Sequence, residues 1–114
     1  MNRIDHLSLD GHALRLLVTV AETGSVTAAA ARLELTQSAV SHALDRLRAI
    51  TGDRLFVRSG RGIVPTPQAG TLVARARVLL DELRAFSEVA GFDPARVAGP
   101  FTVAANDLQR DLLL

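Results

Sequence analysis

The chain has 114 residues, 48% of them hydrophobic, no cysteine and a formal net charge of +1. That length holds one small domain plus an extension, and the lack of cysteine excludes disulfides and thiolate metal sites. No apolar run approaches the roughly 20 residues a membrane span needs, and the opening Met1-Asn2-Arg3-Ile4-Asp5-His6 has no signal-peptide core, so a soluble cytoplasmic protein is expected.

The small net charge hides an asymmetry. Segment 24–62 carries six arginines against three acids, whereas segment 78–114 carries three arginines against six acids. Positive charge is thus gathered in the middle of the chain, where a polyanion would be met.

A first helix is expected to begin after Ser8 or Asp10, either of which can cap it. Leu9, Ala13, Leu16, Leu17, Val20 and Ala21 recur at helical spacing, with Leu14 and Val18 widening the stripe, and Gly24 ends it. Ser25 then caps a second, alanine-rich helix over about 26–33, whose small side chains allow a close helix crossing. Glu34 occupies a turn position where glycine would be easiest. Thr36 caps a third helix over 37 to about 50. At about 100° per residue, Val40, Ala43, Leu44, Leu47 and Ile50 share one face. Gln37, Ser38, Ser41, His42, Asp45 and Arg48 share the other, concentrating hydrogen-bonding groups at the amino-terminal end, the end a recognition helix inserts into the major groove.

Gly52 stops helix three. Residues 54–58 and 63–66 suit two short strands, joined by Ser59-Gly60-Arg61-Gly62. Two glycines free that turn, and Arg58 and Arg61 make the hairpin a basic wing suited to phosphates or a narrow minor groove. Thr66-Pro67 is a cap followed by proline at the first helical position, opening a fourth helix to about Ala90, ended by Gly91. Within it Ala69, Leu72, Ala76, Leu79, Leu83, Phe86 and Ala90 alternate at spacings of three and four, a heptad seam. Such a helix spans roughly 36 Å, longer than the preceding core covers. The seam therefore needs a partner, most simply a second copy, with packing of its near part on helix one as the competing use. Beyond Gly91, Phe92-Asp93-Pro94 and Gly99-Pro100 break helix, and residues 101–104 read as a lone strand, which is unstable unpaired. The sequence thus reads as the amino-terminal piece of something larger.

The fold class is mainly α: a winged helix-turn-helix of three helices and a two-stranded β wing, followed by a long dimerisation helix. The parts are a DNA-binding head (1–66), a linker helix (67–91) and a hinge with the start of a further domain (92–114). Catalysis is not expected. Ser41 and His42 diverge by about 100° on one helix, His6, His12 and His42 lack metal-ligand spacing, and Gly60 and Gly62 sit in no phosphate-loop frame. The rival to a DNA-binding role is a winged-helix protein-interaction module using helix 67–90.

Three blocks of sequence resemble LysR-type transcriptional regulators: 21–30 (AETGSVTAAA), 35–42 (LTQSAVSH) and 55–62 (LFVRSGRG) with Pro65-Thr66-Pro67. The resemblance runs over about residues 7–91, and 92–104 is similar to that family's hinge and first effector-domain strand. It implies a homodimer through the linker helix, with a tetramer on promoter DNA possible for the whole protein, and a small-molecule inducer bound by the carboxy-terminal domain. No cofactor is implied for residues 1–114. Gln37, Ser38 and Ser41 would meet base edges or nearby phosphates, Thr36 would fix the helix start, and Arg58 and Arg61 match the wing arginines. His42, a further candidate contact, stands where many members carry Arg, and Asp45 where a basic residue is common. Asp45 could accept from a cytosine amino group or lie outside the groove.

Overall fold

The computed structural model describes residues 9–91, so Ser8, His6 and the strand expected at 101–104 lie outside the described residues. Among these the element order is α1 (Gly11–Thr23), α2 (Val26–Leu33), α3 (Gln37–Thr51), β1 (Phe56–Ser59), β2 (Gly62–Pro65) and α4 (Pro67–Ala90). Two compact units meet in the sequence between Leu80 and Asp81, inside α4.

Each helix is bounded by its own chemistry. Asp10 caps α1 by accepting from the Ala13 amide at 2.9 Å, and Gly24 closes it with φ 67°. Ser25 caps α2 through the Ala28 amide. At its far end the Glu34 and Leu35 amides donate back to Ala31 and Ala30 carbonyls. This is the Schellman arrangement, with Glu34 taking the left-handed position (φ 60°) usually given to glycine. Thr36 caps α3 through the Ala39 amide, and Gly52 (φ 72°) ends it. The helix runs one residue past Ile50, to Thr51, whose hydroxyl donates to the Leu47 carbonyl.

Packing holds the head together. Leu16, Leu17 and Val20 of α1, Ala29 and Ala30 of α2, and Val40, Leu44 and Leu47 of α3 form one buried cluster. The first turns of α4 complete it with Ala69, Val73 and Ala76, and Leu72 and Leu80 lie partly buried against it. Fully burying a Val or Leu side chain is worth about 1.5–3 kcal/mol. A β-branched residue in a helix costs at most about 0.7 kcal/mol, so Val18, Thr19 and Val20 remain helical because their burial outweighs their propensity.

The wing departs from expectation at its base. Arg54 and Leu55 precede β1 rather than belonging to it. Leu55 has φ 71°, and the Phe56 amide donates across it to the Arg54 carbonyl at 2.8 Å, as in a tight γ-turn. The turn drives Leu55 into the core, where it is fully buried. Thr66 likewise leaves β2 to serve α4, its hydroxyl accepting from the Ala69 amide at 3.0 Å. The register pairs Phe56 with Pro65 and Ser59 with Gly62, leaving Gly60-Arg61 as a two-residue loop. Gly60 alone of the two has positive φ (59°), the signature of a type II′ turn.

Gly62 is required for another reason. The Ile63 amide donates to the Gly24 carbonyl at 3.1 Å, clipping β2 to the α1–α2 turn, and a Cβ at Gly62 would lie 2.7 Å from that carbonyl oxygen. Gly62→Ala is therefore expected to destabilise the protein by about 1–3 kcal/mol, the usual cost of overpacking. Gly70→Ala, in helix α4 with nothing within 4 Å of the added carbon, should stabilise it by about 0.5–1 kcal/mol. Thermal melts followed by helix signal check both, and equal shifts for the two variants would contradict the close approach at Gly62.

Candidate nucleic-acid interface

The turn Glu34-Leu35-Thr36 delivers the amino terminus of α3 to the surface. Thr36, Gln37, Ser38, Ser41 and His42 are all exposed there. From Gln37 to His42 they fan over about 140° of helix circumference, opposite the buried Val40, Leu44 and Leu47. The Ala39 amide is used by the Thr36 cap, and the Val40 amide by the Thr36 carbonyl. The amides of Gln37 and Ser38 thus remain as donors at the positive end of the helix dipole, an arrangement that favours a phosphate oxygen.

Asp45 stays on the exposed polar face as expected, whereas Arg48 departs from it. The Asp45 carboxylate pairs with the Arg48 guanidinium at 2.9 Å, and Arg48 Nε donates to the Arg54 carbonyl at 2.8 Å. Arg48 is half-buried and braces the α3–β1 connection instead of projecting with the polar face.

In the wing, Arg58 lies on β1 opposite Ile63 and Arg61 at the turn, and both are exposed. Arg32 and Arg77 share Glu22 at 3.1 and 3.2 Å, so Arg32 contributes less to the positive segment than its formal charge suggests. Among the described residues Arg46, Arg54, Arg58 and Arg61 form no ion pair, and all four are exposed. Arg46 and Arg54 escaped the sequence reading, although a signal existed for Arg46. No acid stands three or four residues from it, whereas Arg48 has Asp45 at i−3.

The hairpin's base is closed by one carboxylate oxygen. Asp53 Oδ2 accepts from the Thr66 hydroxyl at 2.6 Å and from the Leu55 amide at 2.8 Å. The Thr66 amide in turn donates to the Leu55 carbonyl at 2.9 Å. The Thr66 hydroxyl bond, then the Leu55 amide bond, hold the Asp53 carboxyl below its ordinary value of 3.8. Asp53 was legible in the sequence as a charge alone, because its partner Thr66 is thirteen residues away. No group of three or more His, Asp or Glu side chains able to hold a metal occurs among the described residues.

Residues 12–70 match the family model described as a bacterial regulatory helix-turn-helix protein of the lysR family. The chain belongs to the LysR family. It is 37% identical over 100 residues to the HTH-type transcriptional regulator PhcA of Ralstonia nicotianae, covering 86% of this chain but 29% of that protein. It therefore spans under a third of that relative's length. A solved complex of the CbnR DNA-binding domain with DNA superposes with a TM-score of 0.67 at 29% identity, over 72% of this chain and 94% of that one. The BenM DNA-binding domain on catB site 1 DNA superposes with a TM-score of 0.69 at 25% identity, over 80% and 98% of the two chains.

A carboxyl with a lowered folded-state pKa stabilises the fold above its unfolded pKa and loses that contribution as pH falls through the folded value. The parent should therefore melt higher than Asp53→Ala at neutral pH, with the gap closing below about pH 4. Melting temperatures of both proteins across that range check this, and a gap independent of pH would mean that the Asp53 charge takes no part.

Proposed function

We propose that this chain is the DNA-binding head and linker helix of a transcriptional regulator. The amino-terminal turn of α3 enters the major groove and the wing rests on the neighbouring backbone or minor groove. The observation that carries this reading is the pairing of two exposed surfaces. One is a helix tip rich in hydrogen-bonding groups, and the other a hairpin whose arginines have no acid partner among the described residues. The likeness to two domains solved on DNA supports it.

In this reading Gln37, Ser38, Ser41 and His42 meet base edges and nearby phosphates, while Thr36 sets the start of α3. Gln37 is the best-suited base reader, since its amide can pair with an adenine edge through two hydrogen bonds. Arg58 and Arg61 neutralise phosphates, and each phosphate neutralised contributes about −0.9 to the slope of log affinity against log salt. With Asp45 already held by Arg48, no cytosine contact is assigned to it. The protein acts in the cytoplasm, carries out no catalysis, and answers to a small-molecule inducer bound by a domain beyond the DNA-binding head.

Two copies associate through α4. Ala76 is 1% exposed and belongs to its own chain's core, so it offers no surface to a partner, and Leu72 is half-buried beside it. Leu79 and Leu83 are 43% and 42% exposed and lie on one helix face with Phe86 (63%). That spacing gives a partner helix its apolar seam. A protein-binding role for the same helix predicts little dependence on salt and no duplex shift.

Selection of bound duplexes from a randomised pool tests the reading directly. Gln37→Ala should lose discrimination at particular bases, whereas Arg61→Ala should weaken all duplexes alike and reduce the salt slope by about 1. Unchanged base preference in Gln37→Ala would remove α3 from the groove. A separate prediction concerns assembly: the parent should sediment as a dimer at high micromolar concentration, and Leu79→Arg with Leu83→Arg as a folded monomer. A parent that sediments as a monomer would contradict the seam.

A further inference from the structure

We propose that Asp53 is a positioning residue for DNA binding: its single oxygen Oδ2, shared by Thr66 and Leu55, holds the wing at the angle from which Arg58 and Arg61 reach phosphates. The inference rests on the DNA-binding reading above and adds a residue that touches no DNA.

The geometry isolates Asp53 as the meeting point of three elements. Leu55 begins one leg of the hairpin and Thr66 ends the other, and both donate to the same atom, at 2.8 and 2.6 Å. Thr66 is also the cap of α4 through the Ala69 amide. Asp53 itself follows the last turn of α3, where its amide donates to the Thr51 hydroxyl at 3.3 Å. Asp53 thus ties three elements together: its carboxylate joins the wing's two legs and the start of α4, and its backbone amide reaches the end of α3. The hairpin beyond it has two strands of four residues, and a lone two-stranded hairpin is marginally stable at best in water. Its direction is therefore set at its anchors: the Gly24–Ile63 clip at the turn end of β2 and the Thr66–Leu55 backbone bond, the buried Leu55 and Phe56, and the Asp53 clasp at the base. The clip holds β2 close to the turn, opposite Arg58, so a lost clasp lets β1, the strand that carries Arg58, shift against it and costs phosphate contacts before it costs the fold.

Because both bonds end on one oxygen, Asn can keep them through its carbonyl while Ala cannot. The test uses the whole 114-residue chain and a pool of short random-sequence duplexes, titrated between about 50 and about 200 mM salt. Asp53→Ala should lower affinity and reduce the salt slope by about 1–2, the value of one or two phosphate contacts. Asp53→Asn should keep most of the parent slope. In a double-mutant cycle, adding Asp53→Ala to Arg58→Ala with Arg61→Ala should cost nothing further. Thr66→Val, which removes one of the two donors and also the α4 cap, should lower the slope less than Asp53→Ala while lowering the melting temperature.

Additive losses in the cycle, or a parent-like slope in Asp53→Ala, would overturn the proposal while leaving the wing contacts in place. Loss of the helical signature in both Asp53→Ala and Thr66→Val would also overturn it, by assigning the clasp to folding alone. A parent chain without salt-dependent duplex binding would remove the underlying reading and this one with it.

Discussion

A helix that is held by a core and yet keeps a polar tip at the surface must keep its two faces apart, and the head is arranged around that requirement. Val40, Leu44 and Leu47 press α3 onto α1 and α2. Between them the same fifteen residues present Gln37, Ser38, Ser41 and His42 to solvent. Burial of three aliphatic side chains, at about 1.5–3 kcal/mol each, fixes the orientation of a surface that contributes little to stability itself. The alanines of α2 serve the same end. With Ala29 and Ala30 buried, the second helix can approach closely enough for the turn at Glu34–Thr36 to offer the tip of α3 outward.

Most of this architecture is legible in local chemistry. Ser25, Thr36 and Thr66 announce helix starts and Gly24, Gly52 and Gly91 announce ends, because capping depends on neighbours within three or four residues. The tip of α3 and the wing arginines were legible for the same reason. What stayed hidden depends on partners distant in the chain. Leu55 reads as a strand residue, since nothing nearby shows that a left-handed turn will send it inward. Gly62 reads as turn freedom, yet it is needed because the Gly24 carbonyl approaches it. Arg48 reads as a surface cation and proves to be a brace, since its second partner is the carbonyl of Arg54.

Helix α4 shows how one heptad pattern can hold two kinds of position. Ala69 and Ala76 repeat at seven, as do Leu72, Leu79 and Phe86, and from sequence they form one seam. The structure divides them by place along the helix: Ala69, Val73 and Ala76 are buried against the head with Leu72 partly covered, while Leu79 and Leu83 keep large exposed surfaces. Periodicity gives a stripe, and the reach of the head decides which part of the stripe the chain covers for itself.

The backbone clip between Gly24 and Ile63 has a consequence for how such a hairpin varies. It engages main-chain atoms, so it places no demand on the side chain of Ile63, but it forbids bulk at Gly62, the turn end of β2. At the apex only Arg61 is free to change, because Gly60 is held at positive φ and Gly62 lies against the Gly24 carbonyl. Charge at the extremity is therefore set by one side chain, while the backbone on both sides of it is under steric veto.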